Sequence, residues 1–250
     1  QFLLYGLLLE VLILGIGVYF YYRQYRHRQT LARLQMRHQL LRTQMNPHFV
    51  FNSLTVIQSF IFENEAARSG KYLVKFSRLM RNILEYSERE FIPLDTELAI
   101  LRDYLALQTL RYGDAFDFAI EVDEELVELD PLIPPMLAQP FIENALEHGG
   151  LHEIEDGQVQ IELKRKGSQL VLTVRDNGRG RTAAAQQQSP THKGQALRIT
   201  HERLDLIQRN TGHTTQLDIS DGDPTTGRGT VVQLLLPLLQ TSDLPQKRRP

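Results

Sequence analysis

Three glycine-bearing stretches, in a fixed order, constrain this chain more than any other feature. The first is Gln139-Pro140-Phe141-Ile142-Glu143-Asn144-Ala145-Leu146-Glu147-His148-Gly149, which reads as a helix. The second, Asp176-Asn177-Gly178-Arg179-Gly180, closes a strand, and the third, Gly227-Arg228-Gly229-Thr230, opens the last strand. Between the second and third lies a polar run of low complexity, 181–194, which contains AAAQQQSP and reads as a mobile loop. Each has a bland reading by itself. Asp-Asn-Gly makes a good hairpin turn. Gly149-Gly150 can simply cap a helix, and Gly227 and Gly229 can simply bend the chain into a strand. The order of all three is what carries information.

Around them the hydrophobic periodicity supplies a scaffold. Pro93-Leu94-Asp95-Thr96-Glu97-Leu98 opens a helix with a carboxylate near its N-terminus, running to about Arg111. Strands are expected at 116–122, 159–164, 170–175, 215–220 and 230–236. Ile133-Pro134-Pro135-Met136 is expected to open the helix that carries Glu143 and Asn144, with prolines in its first turn. A further helix covers about 195–210. The sum is an α+β sandwich with helices on one face of a mixed sheet.

These residues suit ATP and magnesium. A buried Asp176 can accept a hydrogen bond from the adenine amino group, which selects adenine over guanine. Gly178 and Gly180 let backbone approach the nucleotide closely. The Asn144 side-chain oxygen can complete the shell of a magnesium ion, which takes few protein ligands beside waters and phosphates. Glu143 can orient a water or accept a proton, and His148 and Lys193 can contact phosphate. The polar loop can close over the triphosphate as a lid. The chain lacks Gly-x-x-x-x-Gly-Lys, which argues against a P-loop enzyme.

The N-terminal quarter has a different character. Residues 2–22 are apolar almost throughout, and about 20 such residues cross a bilayer as a helix. Tyr19, Tyr21, Tyr22 and Tyr25 fit an aromatic belt, and Arg23, Arg26 and Arg28 place the following chain in the cytoplasm. A signal peptide is the weaker reading, for want of a basic start and a small-residue cleavage site. Glu10, in mid-span, is read as facing a neighbouring helix. The first residue is Gln, which reads as a chain continuing upstream, where a sensing region would lie. Leu31, His38 and Met45 repeat every seven residues, as do Leu34, Leu41 and His48. This short seam predicts a parallel helical dimer, with a single amphipathic helix as the alternative.

Met45-Asn46-Pro47-His48-Phe49-Val50-Phe51-Asn52 follows. Pro47 starts a helix or kinks one. Asn52 is four residues beyond His48 and shares its face. A second helix over 66–87 follows the short connection Glu63-Asn64-Glu65. Two such hairpins make a four-helix bundle, so a homodimer is expected. A helix-surface histidine is more often solvated than reactive. Here a proline, an amide one turn away and a nucleotide pattern downstream raise its standing. A neutral imidazole is a competent nucleophile toward phosphorus near pH 7.

Composition excludes some classes. There is no cysteine, hence no disulfide and no thiolate metal site. Net charge is -2, and the six arginines from Arg23 to Phe62 abut the apolar run. They serve better as a topology signal than as a nucleic-acid patch, and no direct nucleic-acid partner is expected.

Residues 40–240 resemble the LytS-type (YehU-like) sensor histidine kinases of bacteria. The resemblance rests on QMNPHFVFNSL, PLDTELAILRDYLALQTLRYG, IPPMLAQPFIENALEHG, DNGRG and GRGT. Its ATP unit is similar to the GHKL (Bergerat) fold shared with gyrase and Hsp90 ATPases. With the apolar run, the heptad seam and the polar tail read above, this divides the chain into five expected parts: a transmembrane helix (1–22), a signalling helix (23–45), a dimerisation and phosphotransfer hairpin (46–92), a GHKL ATP-binding domain (93–240) and a disordered tail (241–250). It implies autophosphorylation of His48 from ATP within a dimer at the cytoplasmic membrane. It also implies transfer to an aspartate of a cytoplasmic response regulator, often of LytTR type. Asn144 matches the magnesium ligand, Asp176 the adenine reader, and Asn52 the amide that some such kinases use to hydrolyse the regulator's phosphate. Gly194 and Leu197 fall in the lid's closing motif, and Gly229 and Thr230 complete the nucleotide set.

Two positions depart from the pattern. Many histidine kinases carry an acid directly after the phosphoacceptor; here it is Phe49, which leaves the base unassigned. The lid motif Gly-x-Gly-Leu is Gly194-Gln195-Ala196-Leu197. Asn52 and Ala196 favour an alternative, a phosphatase-biased or catalytically weak sensor that acts by binding its regulator. A GHKL ATPase without phosphotransfer is a third reading.

Overall fold

The computed structural model describes residues 15, 17, 19, 21–24, 47–87, 89–113, 115–180, 190–223 and 225–243. The chain divides into two units, Gln1–Asn46 and Pro47–Pro250. In the first unit the described residues are helical and exposed. Among the described residues no helix is long and apolar enough to cross a membrane. The expected span at 2–22 falls mostly outside the described residues, as do the heptad seam and the tail at 245–250.

The second unit begins with an antiparallel pair, α1 (Pro47–Phe62) and α2 (Ala66–Tyr86). Asn64 turns the connection with a left-handed φ of 59°, and Glu65 N–H bonds the Phe60 carbonyl at 2.8 Å. Helix α3 (Leu94–Tyr112) follows and ends on Gly113, whose φ of 67° suits a left-handed cap. It is buried almost all round, from Leu94 to Gln108, because it lies between the hairpin and the core of the sheet domain.

Five strands form one mixed sheet. In chain order they are β2 (Phe116–Val122), β4 (Gly157–Lys166), β5 (Gln169–Asp176), β6 (Gln216–Asp221) and β7 (Thr230–Pro237), arranged 2-4-5-7-6. β2 and β4 pair parallel and the others antiparallel. All five were expected from alternation. The register explains it. Ile161, Val174 and Val232 lie side by side, as do Leu163, Leu172 and Leu234, all buried. The intervening residues form the other face, where Glu162, Thr173 and Gln233 stand in line. Helix α3, helix α5 (Gln139–Glu143) and helix α6 (Pro190–Thr211) bring Leu101, Leu105, Phe141, Ile142, Leu204 and Ile207 to the same core.

Several expectations need correction. No helix opens at Ile133-Pro134. Instead β1 (Ile92–Pro93) and β3 (Leu132–Ile133) form a two-stranded ribbon, and the helix starts only at Gln139. The physical reason is Met136, whose φ of 54° is not helical and whose N–H is taken by Glu97 Oε2 at 2.9 Å. The carboxylate near the start of α3 is therefore not a cap of its own helix. That role falls to Asp130, which accepts the Asp95 N–H at 2.9 Å. A short helix, α4 (Glu124–Leu129), follows β2, in a stretch for which no element was expected. The polar loop is shorter than expected, since residues 190–194 already belong to α6, with Pro190 at its start. The rest of that loop lies outside the described residues.

Candidate nucleotide site and phosphoacceptor helix

Helix α5 does not stop at Glu143. It widens into a π turn, Asn144–His148, closed by Gly149 N–H on the Asn144 carbonyl at 2.9 Å. Such widened turns are rare and concentrate at functional sites. Asn144 is exposed on it, whereas Glu143, Glu147 and His148 are half-buried.

Backbone hydrogen bonds join the three glycine stretches. Arg179 N–H bonds the Gly149 carbonyl at 2.9 Å, and Gly229 N–H bonds the Gly178 carbonyl at 2.8 Å. The glycines are needed for this. A Cβ on Gly178 would sit 2.7 Å from the Gly149 oxygen, and one on Gly180 would overlap the Gly227 carbonyl. Gly180 also has φ 82° and Gly229 φ 70°. The close approach these residues permit is therefore of chain to chain, an addition to the nucleotide approach expected from the sequence.

Asp176 ends β5, is buried, and faces Thr230 across the β5–β7 ladder. Its Oδ1 accepts the Gly178 N–H at 2.9 Å. Burial pushes its carboxyl above the usual aspartate value, while the bonds from Gly178 and Thr230 pull it back. A desolvated carboxylate held by fixed donors is a suitable reader of an exocyclic amine, being an acceptor of set direction.

The structure thus brings together Glu143, Asn144, His148, Asp176, Gly178, Gly180, Gly229 and Thr230 on adjoining strand and helix ends. Leu197 is half-buried against the core on α6. Lys193 and Gly194 fall on the first turns of α6, and the Lys193 side chain lies outside the described residues. His48 and Asn52 lie one turn apart on α1. Asn52 is half-buried, and the His48 side chain lies outside the described residues. Phe49 is 5% exposed and packs on Phe76 and Tyr104, with centroids 6.2 and 5.5 Å away. An acid at this position would be buried among rings, which accounts for its absence.

A histidine kinase family model matches residues 36–116, which include α1 and α2. A model of the histidine kinase-, DNA gyrase B- and HSP90-like ATPases matches residues 134–240, the whole of the nucleotide site. Sensor protein LytS of Oceanobacillus iheyensis is 30% identical over 204 residues, covering 79% of this chain and 34% of that protein. Sensor histidine kinase YpdA of Escherichia coli is 36% identical over 141 residues, covering 56% of this chain and 24% of that protein. The chain belongs to the LytS-type sensor histidine kinases. It spans about a quarter to a third of the length of these relatives. Among solved structures, the catalytic domain of histidine kinase ThkA aligns at 15% identity with a TM-score of 0.38, over 60% of this chain and 96% of that one.

Within this LytS-type unit, sequence reasoning missed three supporting residues. Glu97 on α3 accepts Met136 N–H; half-buried Arg203 on α6 donates to the Pro135 carbonyl at 2.7 Å. Together they hold the loop that leads into α5 from two sides. Tyr104 on α3 is buried, and its hydroxyl oxygen accepts the Gln108 Nε2 hydrogen at 2.9 Å.

Proposed function

We propose that this chain is the kinase portion of a membrane sensor that phosphorylates itself on His48 from ATP and passes the group to an aspartate of a cytoplasmic response regulator. One imidazole nitrogen of His48 attacks the γ-phosphorus, the bond to the β,γ-bridging oxygen breaks, and ADP leaves. The imidazolium proton then goes to a base. In the second step the N–P bond breaks as an O–P bond forms on the aspartate. The observation that carries the reading is the buried Asp176, fixed by Gly178 and Thr230 at the edge of a glycine-built floor, in one unit with the histidine helix.

Magnesium fits the residues present. Among the described residues no group of three or more acids and histidines can hold a metal. A cation carried by the phosphates, with the exposed Asn144 oxygen as one ligand, needs no such group. Bound there, it would neutralise charge on the transferring phosphoryl. Lys193 and His148 are proposed phosphate contacts, Gly194 and Leu197 parts of the lid.

A homodimer is supported by the hairpin surface. Phe51, Leu54, Phe62, Leu73, Val74 and Leu84 are each at least half exposed or nearly so, and two copies of the hairpin would cover them as a four-helix bundle. The apolar run and arginine collar support anchoring in the cytoplasmic membrane, and the family resemblance supports a regulator of LytTR type.

The chain in detergent, given magnesium and γ-labelled ATP, should acquire acid-labile, base-stable label that His48→Gln abolishes. Label on both proteins would overturn the assignment. A second reading has one specific support: a relative 33% identical over 141 residues, from Staphylococcus aureus, is named a sensor histidine kinase/phosphatase LytS. Loss of phosphate from a phosphorylated regulator, abolished by Asn52→Ala, would establish it.

A further inference from the structure

Resting on the ATP site of that reading, we propose that Glu97 and Arg203 are positioning residues for the nucleotide: from two different helices they grip one peptide group, Pro135–Met136, and so set where the helix that carries Asn144 begins. Glu97 Oε2, from α3, accepts the Met136 N–H at 2.9 Å. Arg203 Nη2, from α6, donates to the Pro135 carbonyl at 2.7 Å. The carbonyl and the N–H belong to the same trans peptide, so they point in opposite directions. Holding both fixes the rotation of that peptide plane.

The plane needs holding. Met136 has a left-handed φ of 54°, a conformation that an L-residue leaves when it can. Turning the Pro135–Met136 peptide changes that φ directly, so a free plane would turn to relieve it. The neighbouring chain offers no substitute. Pro134 and Pro135 have no N–H to donate, and Met136, Leu137 and Ala138 are buried away from water. Upstream, the loop is tied by the β1–β3 ribbon, where Ile133 pairs with Ile92. Downstream it enters α5 at Gln139, five residues before Asn144. The orientation of the gripped peptide therefore sets the direction in which α5 leaves the ribbon.

Arg203 also joins this loop to the other side of the site. It lies six residues beyond Leu197 on α6, and its neighbours Leu204 and Ile207 are buried in the core. The helix that leaves the proposed lid and the helix that carries Asn144 are thereby held in fixed relation. Charged groups that only filled space could give way together to apolar ones of like size without loss of function. Here each supplies a hydrogen bond to one end of a strained peptide, and an apolar pair supplies neither.

The test is calorimetric titration of the chain in detergent with magnesium and ATP, beside the rate of His48 labelling as a function of ATP concentration. Arg203→Met is expected to lower ATP affinity about tenfold and to raise KM for ATP to match, with labelling at saturating ATP within about twofold of wild type. Arg203→Lys, which keeps the cation and loses the planar fork, should lose about threefold. Glu97→Leu should match Arg203→Met, and Glu97→Gln, whose amide oxygen can still accept the Met136 N–H, should lose less. The double variant Glu97→Leu with Arg203→Met should bind ATP no worse than either single variant, because both changes release one peptide. Gly113→Ala strains the end of α3 without its Cβ meeting any atom within 4 Å, and serves as the control for lost stability alone; it should bind ATP as wild type does. Wild-type affinity in both Arg203 variants, or an equal loss in Gly113→Ala, would overturn the inference. Arg203→Lys decides the matter if Arg203→Met fails to fold. A wild-type chain that binds ATP and takes no label would overturn the kinase reading and leave the inference to the calorimetry of the variants; one that binds no ATP would overturn both.

Discussion

Asp176 and Thr230 stand directly opposite one another, where β5 ends and β7 begins, and Thr230 is among the groups that hold down the rise that burial gives the Asp176 carboxyl. The ladder that builds the sheet therefore also aims the group proposed to read adenine. Strand register and ligand recognition are set by the same pairing.

Asp176→Asn keeps the shape and an oxygen for Gly178 N–H, and replaces half of the acceptor by a donor. ATP affinity is expected to fall about 10- to 100-fold, the loss of one hydrogen bond to a charged group. Calorimetric titration with ATP checks this, and an unchanged far-ultraviolet spectrum separates it from unfolding.

Gly180 and Gly113 both have left-handed backbone, with φ 82° and 67°, and differ in what surrounds them. A Cβ on Gly113 meets nothing within 4 Å, whereas one on Gly180 overlaps the Gly227 carbonyl. Gly113→Ala is expected to cost about 1 kcal/mol, the conformational strain alone. Gly180→Ala should cost roughly 3 kcal/mol or more, and should weaken ATP binding as the glycine floor separates. Urea unfolding of the two variants side by side measures the difference.

The hairpin is held to α3 by an ion pair as well as by rings. Arg78 on α2 bonds Asp103 on α3; the acid is 9% exposed and the arginine 60%. The pair is asymmetric, so its two halves are not equivalent. Arg78→Ala leaves a buried carboxylate without its cation and should destabilise by about 1–2 kcal/mol. Adding Asp103→Asn should recover part of that. Thermal unfolding of the three variants is the check.

The strands were legible because burial on one face imposes a period of two, as Ile161, Leu163, Leu172 and Val174 display. The glycine floor was legible as an order of motifs, although the reason for each glycine was not. Gly180 meets Gly227, and no local pattern announces a contact between residues so far apart in sequence. The same limit hid Glu97, whose partner Met136 is 39 residues on. Pro134 and Pro135 look like a helix start because proline is at home in a first turn, but the left-handed Met136 stops any helix there. Residues 190–194 read as loop because alanine, glutamine and serine flank them without periodicity. Phe49 read as a departure from the pattern beside the proposed phosphoacceptor His48, and its burial against Tyr104 explains it.

Glu97 gives the chain a pH dependence of predictable sign. The group is fully enclosed, and burial pushes its carboxyl from an ordinary value of 4.5 up to about 7, against the opposing bonds from Met136 and Leu137 and the charge of Arg203. An acid whose folded pKa is raised holds its proton more tightly in the native state than in the unfolded one. Stability therefore falls as pH rises between about 4.5 and about 7, and the penalty is complete above that window. The shift corresponds to roughly 3 kcal/mol across the window. Glu97→Gln removes the titration while its amide oxygen can still accept the Met136 N–H. Urea midpoints taken from pH 5 to pH 8 should decline less steeply for Glu97→Gln than for the wild type. Parallel pH profiles for the two proteins would mean that the carboxylate is ionised throughout, held by Arg203 across the loop that leads into α5.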